Sequence, residues 1–302
     1  MAKKTLLVLV GATAVGKTDL SIRLAQTLQT AILSADSRQF FREMQIGTAR
    51  PTPAEMQNVT HYLLGHISIE QTYTVSDFEQ EALHILEKLF ETKNIVILTG
   101  GSGLYVKVLC EGIDAIPQIE PHWREKVQQA YQEKGLAFLQ SEVARLDANY
   151  FAEVDQQNPQ RLMRALEVCW ATGKPFSSFR QAKKKERPFR IIKIGLERPR
   201  AELYERINSR VDAMLENGLL DEVKKLLPYK KHNALQTVGY KEIFDYLEGK
   251  QTWHATIRLI KQNTRHYAKR QMTWFKKDKE IQWFAPEDYE KILQLITTIH
   301  NS

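Results

Sequence analysis

The chain of 302 residues exceeds the ~100 to 200 residues of one ordinary domain, which predicts a large core with an insertion or a second lobe. Its 43% hydrophobic and 26% charged residues exclude wholesale disorder, and two cysteines, Cys110 and Cys169, exclude a disulfide framework or four-thiolate zinc site and fit a reducing, cytoplasmic setting. The net charge of +7 sits late in the chain, since residues 1–115 carry 10 Lys and Arg against 12 Asp and Glu while residues 116–302 carry 33 against 24; this asymmetry suggests a polyanionic partner, nucleic acid first, with a solvated surface as the alternative.

Lys3 and Lys4 before the apolar stretch 5–15 imitate a secretory signal. Lys17 and Asp19 end that stretch at once, and a buried strand from Thr5 to Val10 running into a glycine turn accounts for the same residues. No apolar run approaches the roughly 18 residues of a membrane span. A helical pattern follows from Thr18 to Leu28. Ala31 to Leu33 and Ile95 to Leu98 are further apolar segments, ending at Ser34-Ala35-Asp36-Ser37 and at Thr99-Gly100-Gly101-Ser102-Gly103. Between them, from Asp77 to Phe90, residues Phe78, Ala82, Ile85, Leu86 and Leu89 recur at helical spacing. Strands alternating with helices predict an α/β fold: a phosphate-loop parallel sheet core flanked by helices, binding ligands beyond the carboxyl ends of its strands.

After Gly112 the pattern turns helical, with Trp123, Val127 and Tyr131 on one stripe. Asn158-Pro159 reads as a helix start and Gly173-Lys174-Pro175 as a stop. The expected organisation is residues 1–114 as the first part of the core, 115–188 as an inserted all-helical lobe, and 189–302 as core completion with basic C-terminal helices. Lys183 to Arg187 reads as a mobile loop, after which Ile192, Ile194 and Leu196 alternate as a strand.

Gly11-Ala12-Thr13-Ala14-Val15-Gly16-Lys17-Thr18 fits the phosphate-loop pattern between a strand and a helix. In such a loop the backbone amides converge on a phosphate, the helix N-terminus adds partial positive charge, Lys17 reaches the outer phosphate and Thr18 can hold magnesium. The terminal phosphates of a nucleotide are the obvious ligand. Against that, no acid follows Ile95 to Leu98, where many phosphate-loop nucleotidases keep an aspartate for magnesium and water. Asp36 is the available acid. It can bind magnesium, cap the following helix or accept a proton from a nucleophile, and the residues alone leave all three open.

In chain order, the phosphate loop, Asp36-Ser37-Arg38-Gln39, Ile46-Gly47-Thr48-Ala49-Arg50, Gly100-Gly101-Ser102-Gly103-Leu104-Tyr105, Gln160-Arg161-Leu162-Met163-Arg164-Ala165-Leu166-Glu167-Val168 and Ala268-Lys269-Arg270-Gln271-Met272-Thr273-Trp274-Phe275 resemble the tRNA dimethylallyltransferase, or tRNA isopentenyltransferase, family. The resemblance runs over residues 5 to about 285, and without a cysteine/histidine zinc-finger extension it is to the bacterial form. It implies transfer of a dimethylallyl group from dimethylallyl diphosphate to the exocyclic amine of the adenosine 3′ of the anticodon, tRNA position 37, with Mg2+ as cofactor. The implied roles follow. Gly11, Ala12, Thr13, Ala14, Val15, Gly16, Lys17 and Thr18 cradle the diphosphate leaving group together with Arg210, and Thr18 is the magnesium ligand. Asp36 accepts the amine proton, with Lys17 and Ser102 also catalytic. The tRNA meets Asp36, Ser37, Arg38, Gln39 and Ser102, then Arg124, Gln160, Arg161, Leu162, Met163 and Arg164 of the lobe, then Gly239, Tyr240, Arg265, Lys269 and Arg270. A monomer is the default expectation.

Read bare, some of these residues are ordinary. Arg206 and Arg210 share a helix face that pairs with Glu202 in solvent. The basic stripe Arg258, Lys261, Arg265, Lys269 and Lys276, interleaved with Tyr267, Trp274 and Phe275, reads equally as phosphate neutralisation with aromatic packing or as core aromatics beside a solvated face. Phe41 stands where the family usually has tyrosine, and Ser102 where threonine is common. The competing class is a small-molecule or nucleoside kinase, with Asp36 as base for a hydroxyl; a non-catalytic RNA-binding protein leaves the phosphate loop unexplained.

Overall fold

Apolar side chains at every position from Leu6 to Val10 make β1 (Thr5–Gly11) a strand buried on both faces, as an interior strand of a parallel sheet must be. In the computed structural model, which describes residues 4–180 and 184–301, α1 (Lys17–Thr27), β2 (Ile32–Ser34), α2 (Pro53–Met56), β3 (His61–Tyr62), α3 (Val75–Thr92), β4 (Ile95–Gly100) and α4 (Gly103–Glu111) follow. Next come α5 (Pro121–Leu146), α6 (Ala148–Glu153) and α7 (Pro159–Thr172). The chain then runs through β5 (Arg190–Leu196), α8 (Arg200–Glu216), α9 (Leu219–Lys225), α10 (Tyr240–Leu247), α11 (Trp253–Phe275), β6 (Gln282–Phe284) and α12 (Tyr289–Asn301). Lys3 and Lys183 lie outside the described residues. All strands pair in parallel, in the order β3-β2-β4-β1-β5-β6.

Strand alternation divides the core in two. Leu6, Val8 and Val10 face a cluster with Phe40, Phe78 and Leu109, whereas Leu7 and Leu9 face Leu20, Leu24, Ile207 and Ile292. α3 starts two residues before its first expected position because of a reciprocal cap: Asp77 N donates to Thr74 Oγ1 (3.2 Å) and Thr74 N to Asp77 Oδ2 (2.8 Å). No helix among the described residues is long and apolar enough to cross a membrane.

The chain divides into two compact units, Met1–Cys110 with Glu186–Ser302, and Glu111–Lys185. Within the second, α5, interrupted at Gly135 (φ 72°), packs with α6 and α7 around Val127, Leu139, Leu162, Met163 and Leu166. Asn158 caps α7 through Arg161 N (3.3 Å), and Gly173 ends it in the left-handed region. The expectation of a mobile loop up to Arg187 is corrected at that residue. Its side chain is only 7% exposed and pairs with Glu79 at 2.5 Å. Its Nε and Nη2 donate to Leu109 O (2.9 Å) and Val108 O (2.8 Å), carbonyls in the last turn of α4 that have no partner within the helix.

Register brings the functional turns together. Thr99 stands beside both Leu9 and Ser34, so the turns after β1, β2 and β4 open at one sheet edge. Ala35 N donates to Thr99 O (2.7 Å) and Ser102 N to Ala35 O (3.2 Å). This approach requires glycine at position 100, where a Cβ would stand 2.3 Å from Ala35 O.

Candidate active site

The phosphate loop is held from outside by long polar side chains. Arg206 Nε donates to Ala14 O (2.9 Å) and Arg198 Nε to Val15 O (2.9 Å). These bonds fix a turn in which Ala14, although not glycine, adopts a left-handed φ of 63°. Arg210 Nη1 donates to Thr13 Oγ1 (3.2 Å). From α11, Gln271 Oε1 accepts from Thr13 N (2.8 Å) while its Nε2 donates to Gly101 O (2.9 Å), tying the turns after β1 and β4 together. Lys17 Nζ donates to Gly11 O (3.0 Å) and Ala12 O (2.8 Å). Burial, reinforced by the Arg210 charge and opposed by Asp36, brings the Lys17 ammonium down to about 8. Burial likewise lowers Arg210. Two cations pressed into one desolvated corner await an anion.

Cavities extend from that corner in series. Ala14 to Asp19, Arg206 and Arg210 line one of about 150 Å³. It shares Lys17, Thr18 and Arg210 with a second of about 140 Å³, whose walls include Thr13, Asp36, Gln39 and Gln271 and the apolar Val211, Met214, Leu219, Val238 and Ile260. The second shares Arg38, Thr237, Val238 and Tyr267 with a wider opening of about 570 Å³, also lined by Ser37, Lys241, Asn263 and Arg270. Glu242 and Asp245 also line this opening, so a phosphate cradle, an apolar middle and a polar mouth of mixed charge lie in sequence within the α/β unit.

Asp36 is oriented by its own turn: Arg38 N donates to Oδ1 (3.1 Å). Beside it, Ser102 Oγ accepts from Ser37 N (2.9 Å) and bonds Ser37 Oγ (3.0 Å). Tyr267 lies within hydrogen-bonding reach of Ser102, and burial together with the Asp36 charge holds its phenol well above the usual range, so it stays protonated. A carboxylate, a row of hydroxyls and an arginine thereby border the passage from mouth to middle. For a divalent metal, the described residues include no group of three His, Cys, Asp or Glu. The Thr18 hydroxyl on the wall of both inner cavities suits a magnesium ion that takes few protein ligands and binds mainly to phosphate oxygens and water.

Several expected site residues are placed otherwise. Gly11 and Ala12 line none of these cavities and stand behind the loop as acceptors for Lys17. Arg206 does not pair with Glu202 in solvent; Glu202 bonds Arg198, and Arg206 grips the loop. Leu162 (0% exposed) and Met163 (5%) fill the core of the helical unit and present no side chain to RNA, unlike the exposed Gln160, Arg161 and Arg164 of the same helix. Arg124 and Arg164 lie 3.9 and 3.0 Å from the buried Glu167 carboxylate. Tyr240 is fully buried, its hydroxyl donating to Glu222 (2.6 Å), so it cannot touch RNA, whereas Gly239 lines the middle cavity. Arg265 donates to Asn208 Oδ1 (2.8 Å), on a different face of α11 from Tyr267 and Arg270, while Lys269 is exposed. Gln39 lines the middle cavity with its Nε2 donating to Thr48 O (3.1 Å) and Ala49 O (3.2 Å). Phe41 lies in the core.

Sequence reasoning missed three supports. Gln271 falls inside the 268–275 motif, yet nothing in its spacing marks it as the clip between two turns. Arg198 lies outside every motif. Glu222 accepts from Gln45 N (3.0 Å), Ile46 N (2.8 Å), Gly47 N (3.0 Å) and the Tyr240 hydroxyl, fixing the 45–49 loop that walls the cavity. An acid in the first turn of α9 otherwise resembles a helix-dipole charge.

The family model for IPP transferase matches residues 39–278. A tRNA dimethylallyltransferase 1 of Bacteroides thetaiotaomicron is 52% identical over 292 residues, 97% of this chain and 95% of the relative. A tRNA dimethylallyltransferase of Cytophaga hutchinsonii is 48% identical over 97% of this chain and 96% of the relative. Among solved structures, the tRNA isopentenylpyrophosphate transferase of Bacillus halodurans superposes with a TM-score of 0.73 at 34% identity, covering 99% of this chain and 97% of that one. A eukaryotic dimethylallyltransferase acting on tRNA shares the fold, with a TM-score of 0.76 at 24% identity over 95% of this chain and 75% of that one. Matched along nearly its whole length by relatives of one kind, the chain belongs to the IPP transferase family.

Proposed function

We propose that this enzyme transfers the dimethylallyl group of dimethylallyl diphosphate to the exocyclic amine of the adenosine 3′ of the tRNA anticodon, position 37. The observation that carries the proposal is the series of cavities, cationic, then apolar with a carboxylate, then polar and open. The diphosphate lies in the cradle, where Lys17, Arg210 and the α1 N-terminus meet the charge that develops as the allylic carbon–oxygen bond breaks. Magnesium, held by Thr18 and the diphosphate itself, adds charge neutralisation when bound. The prenyl carbons pack against Val211, Met214, Leu219 and Ile260.

Adenine enters from the mouth. Its amine is a weak nucleophile because the lone pair is delocalised into the ring, so removal of its proton matters. As the nitrogen–carbon bond forms, diphosphate leaves with the electron pair of the broken bond and Asp36 takes the amine proton. Arg38 N orients that carboxylate, and Tyr267 and Ser37 line the path of the incoming base. Gln160, Arg161, Arg164 and Arg124 of the helical unit, with Lys269 and Arg270 of the other, supply exposed groups for RNA, and the half-buried Arg38 lines the mouth. The absence of an acid after β4 suits a leaving-group site with no water to activate. We expect a monomer.

The test incubates the protein and magnesium with unmodified tRNA and labelled dimethylallyl diphosphate, runs labelled ATP in parallel, and digests the RNA. Prenyl label on the adenosine next to the anticodon is the expected result; phosphate moved from ATP without prenyl transfer overturns it.

A further inference from the structure

Tyr267, Arg270 and Trp274 are spaced by three and four residues and form one stripe of α11. The first two line the mouth of the channel. Trp274, one turn farther, is 40% exposed, one of the few large hydrophobic side chains so open among the described residues. The ring lies against Gly103, where a Cβ would come within 2.2 Å of it. Gly103 follows Ser102, which is bonded to Ser37 in the Asp36 turn. The exposed indole therefore continues the rim of the site. Leu104, 46% exposed, follows Gly103, the exposed Arg270 and Lys107 lie on α11 and α4, and the exposed Lys277 follows α11. Neither residues 265–277 nor residues 103–110 include an acidic side chain. An open aromatic face beside basic side chains suits a nucleobase.

We propose that Trp274 is a stacking platform for the nucleobase next to the one that enters the channel, an inference that rests on the RNA substrate argued above. Drawing one base out of an anticodon loop removes the stacking partner of its neighbour. An indole on the rim replaces that partner, holds the loop open and requires no particular base, since every base has a π-face.

The experiment measures binding of an anticodon stem-loop carrying 2-aminopurine beside the target adenosine, with wild type, Trp274→Ala and Trp274→Phe. Loss of one stacked base should weaken Trp274→Ala roughly 5- to 100-fold at every salt concentration, leaving the slope of log affinity against log salt unchanged. Trp274→Phe should stay within about threefold of wild type. Quenching of 2-aminopurine should appear with wild type and Trp274→Phe and vanish with Trp274→Ala, whereas Arg270→Ala should lower the salt slope instead. Unchanged affinity in Trp274→Ala, or equal losses in both variants with a lowered Tm, overturns the platform and leaves Trp274 as a structural cover for Gly103. Failure of wild type to bind RNA overturns both this and the substrate reading; binding and quenching without prenyl transfer counts against the reaction alone.

Discussion

At Asp36, proton removal and architecture are separable. Arg38 N donates to one carboxylate oxygen, and an asparagine keeps that acceptor, so Asp36→Asn should retain the fold. Transfer should fall by roughly 10² to 10⁴, the range of a positioned base; undiminished single-turnover transfer would remove Asp36 from the role. Lys17 makes a different prediction. Brought down to about 8 by burial, it is charged in the empty site only below that pH, and a bound diphosphate raises it again. Affinity for a non-transferable thio-analogue should therefore be level below pH 8 and decline above it by up to tenfold per unit. Lys17→Met should bind weakly with that decline absent. The sign for stability is opposite: the unfolded lysine holds its proton up to about 10.5, so the buried charge costs the empty fold about 3 kcal/mol at neutral pH, relieved as pH rises from 8 to 10.5. Both residues were legible in the sequence, since a phosphate loop and an acid at a strand end are local patterns. Leu162, Met163 and Tyr240 were drawn toward RNA by neighbours in their motifs, but a motif records packing as well as contact.

The elements decide what the middle cavity admits. α8 turns Arg210 toward the phosphates and Val211 and Met214 toward the apolar space, while α9 and α11 add Leu219 and Ile260. A volume of about 140 Å³ compares with the ~150 Å³ of an apolar cavity that holds a benzene ring. Five prenyl carbons fit and ten do not. Met214→Ala should raise kcat/KM for geranyl diphosphate relative to dimethylallyl diphosphate by at least about tenfold, given ~1–3 kcal/mol per misfitting methylene; an unchanged ratio would show that this wall does not measure the chain. The opposite wall, the 45–49 loop, depends on Glu222. Glu222→Gln replaces an acceptor oxygen by an NH2 facing backbone N–H groups, and should lower stability by about 2–4 kcal/mol, seen in chemical denaturation. The strands and α3 were readable from apolar spacing. β3 (His61–Tyr62) and β6 (Gln282–Phe284) were not, because they lack the aliphatic run that marked the equally short β2.

Across the whole molecule, the surplus of basic residues was visible from counting, but its distribution was not. Arg187 is paired with Glu79, Lys193 with Asp278 and Glu280, Arg198 with Glu202 and Glu287, and Lys276 with Glu197. Charges engaged in this way contribute little to a polyanion's binding, so the effective footprint is narrower than the net balance suggests. What remains exposed includes Arg161, Lys269 and Arg270. Each phosphate neutralised adds about 0.7 to 0.9 to the slope of log affinity against log salt. Arg161→Ala should thus weaken tRNA binding and reduce that slope by about 1, whereas Arg187→Ala should leave the slope unchanged and instead lower stability by about 3–5 kcal/mol, the cost of breaking a buried ion pair. Dimethylallyl diphosphate, bound in a desolvated cradle less open to screening, should lose far less affinity over the same salt range. Titrating both substrates from 50 to 200 mM salt checks the contrast: equal losses would place the diphosphate cations in solvent, against the burial of Lys17 and Arg210.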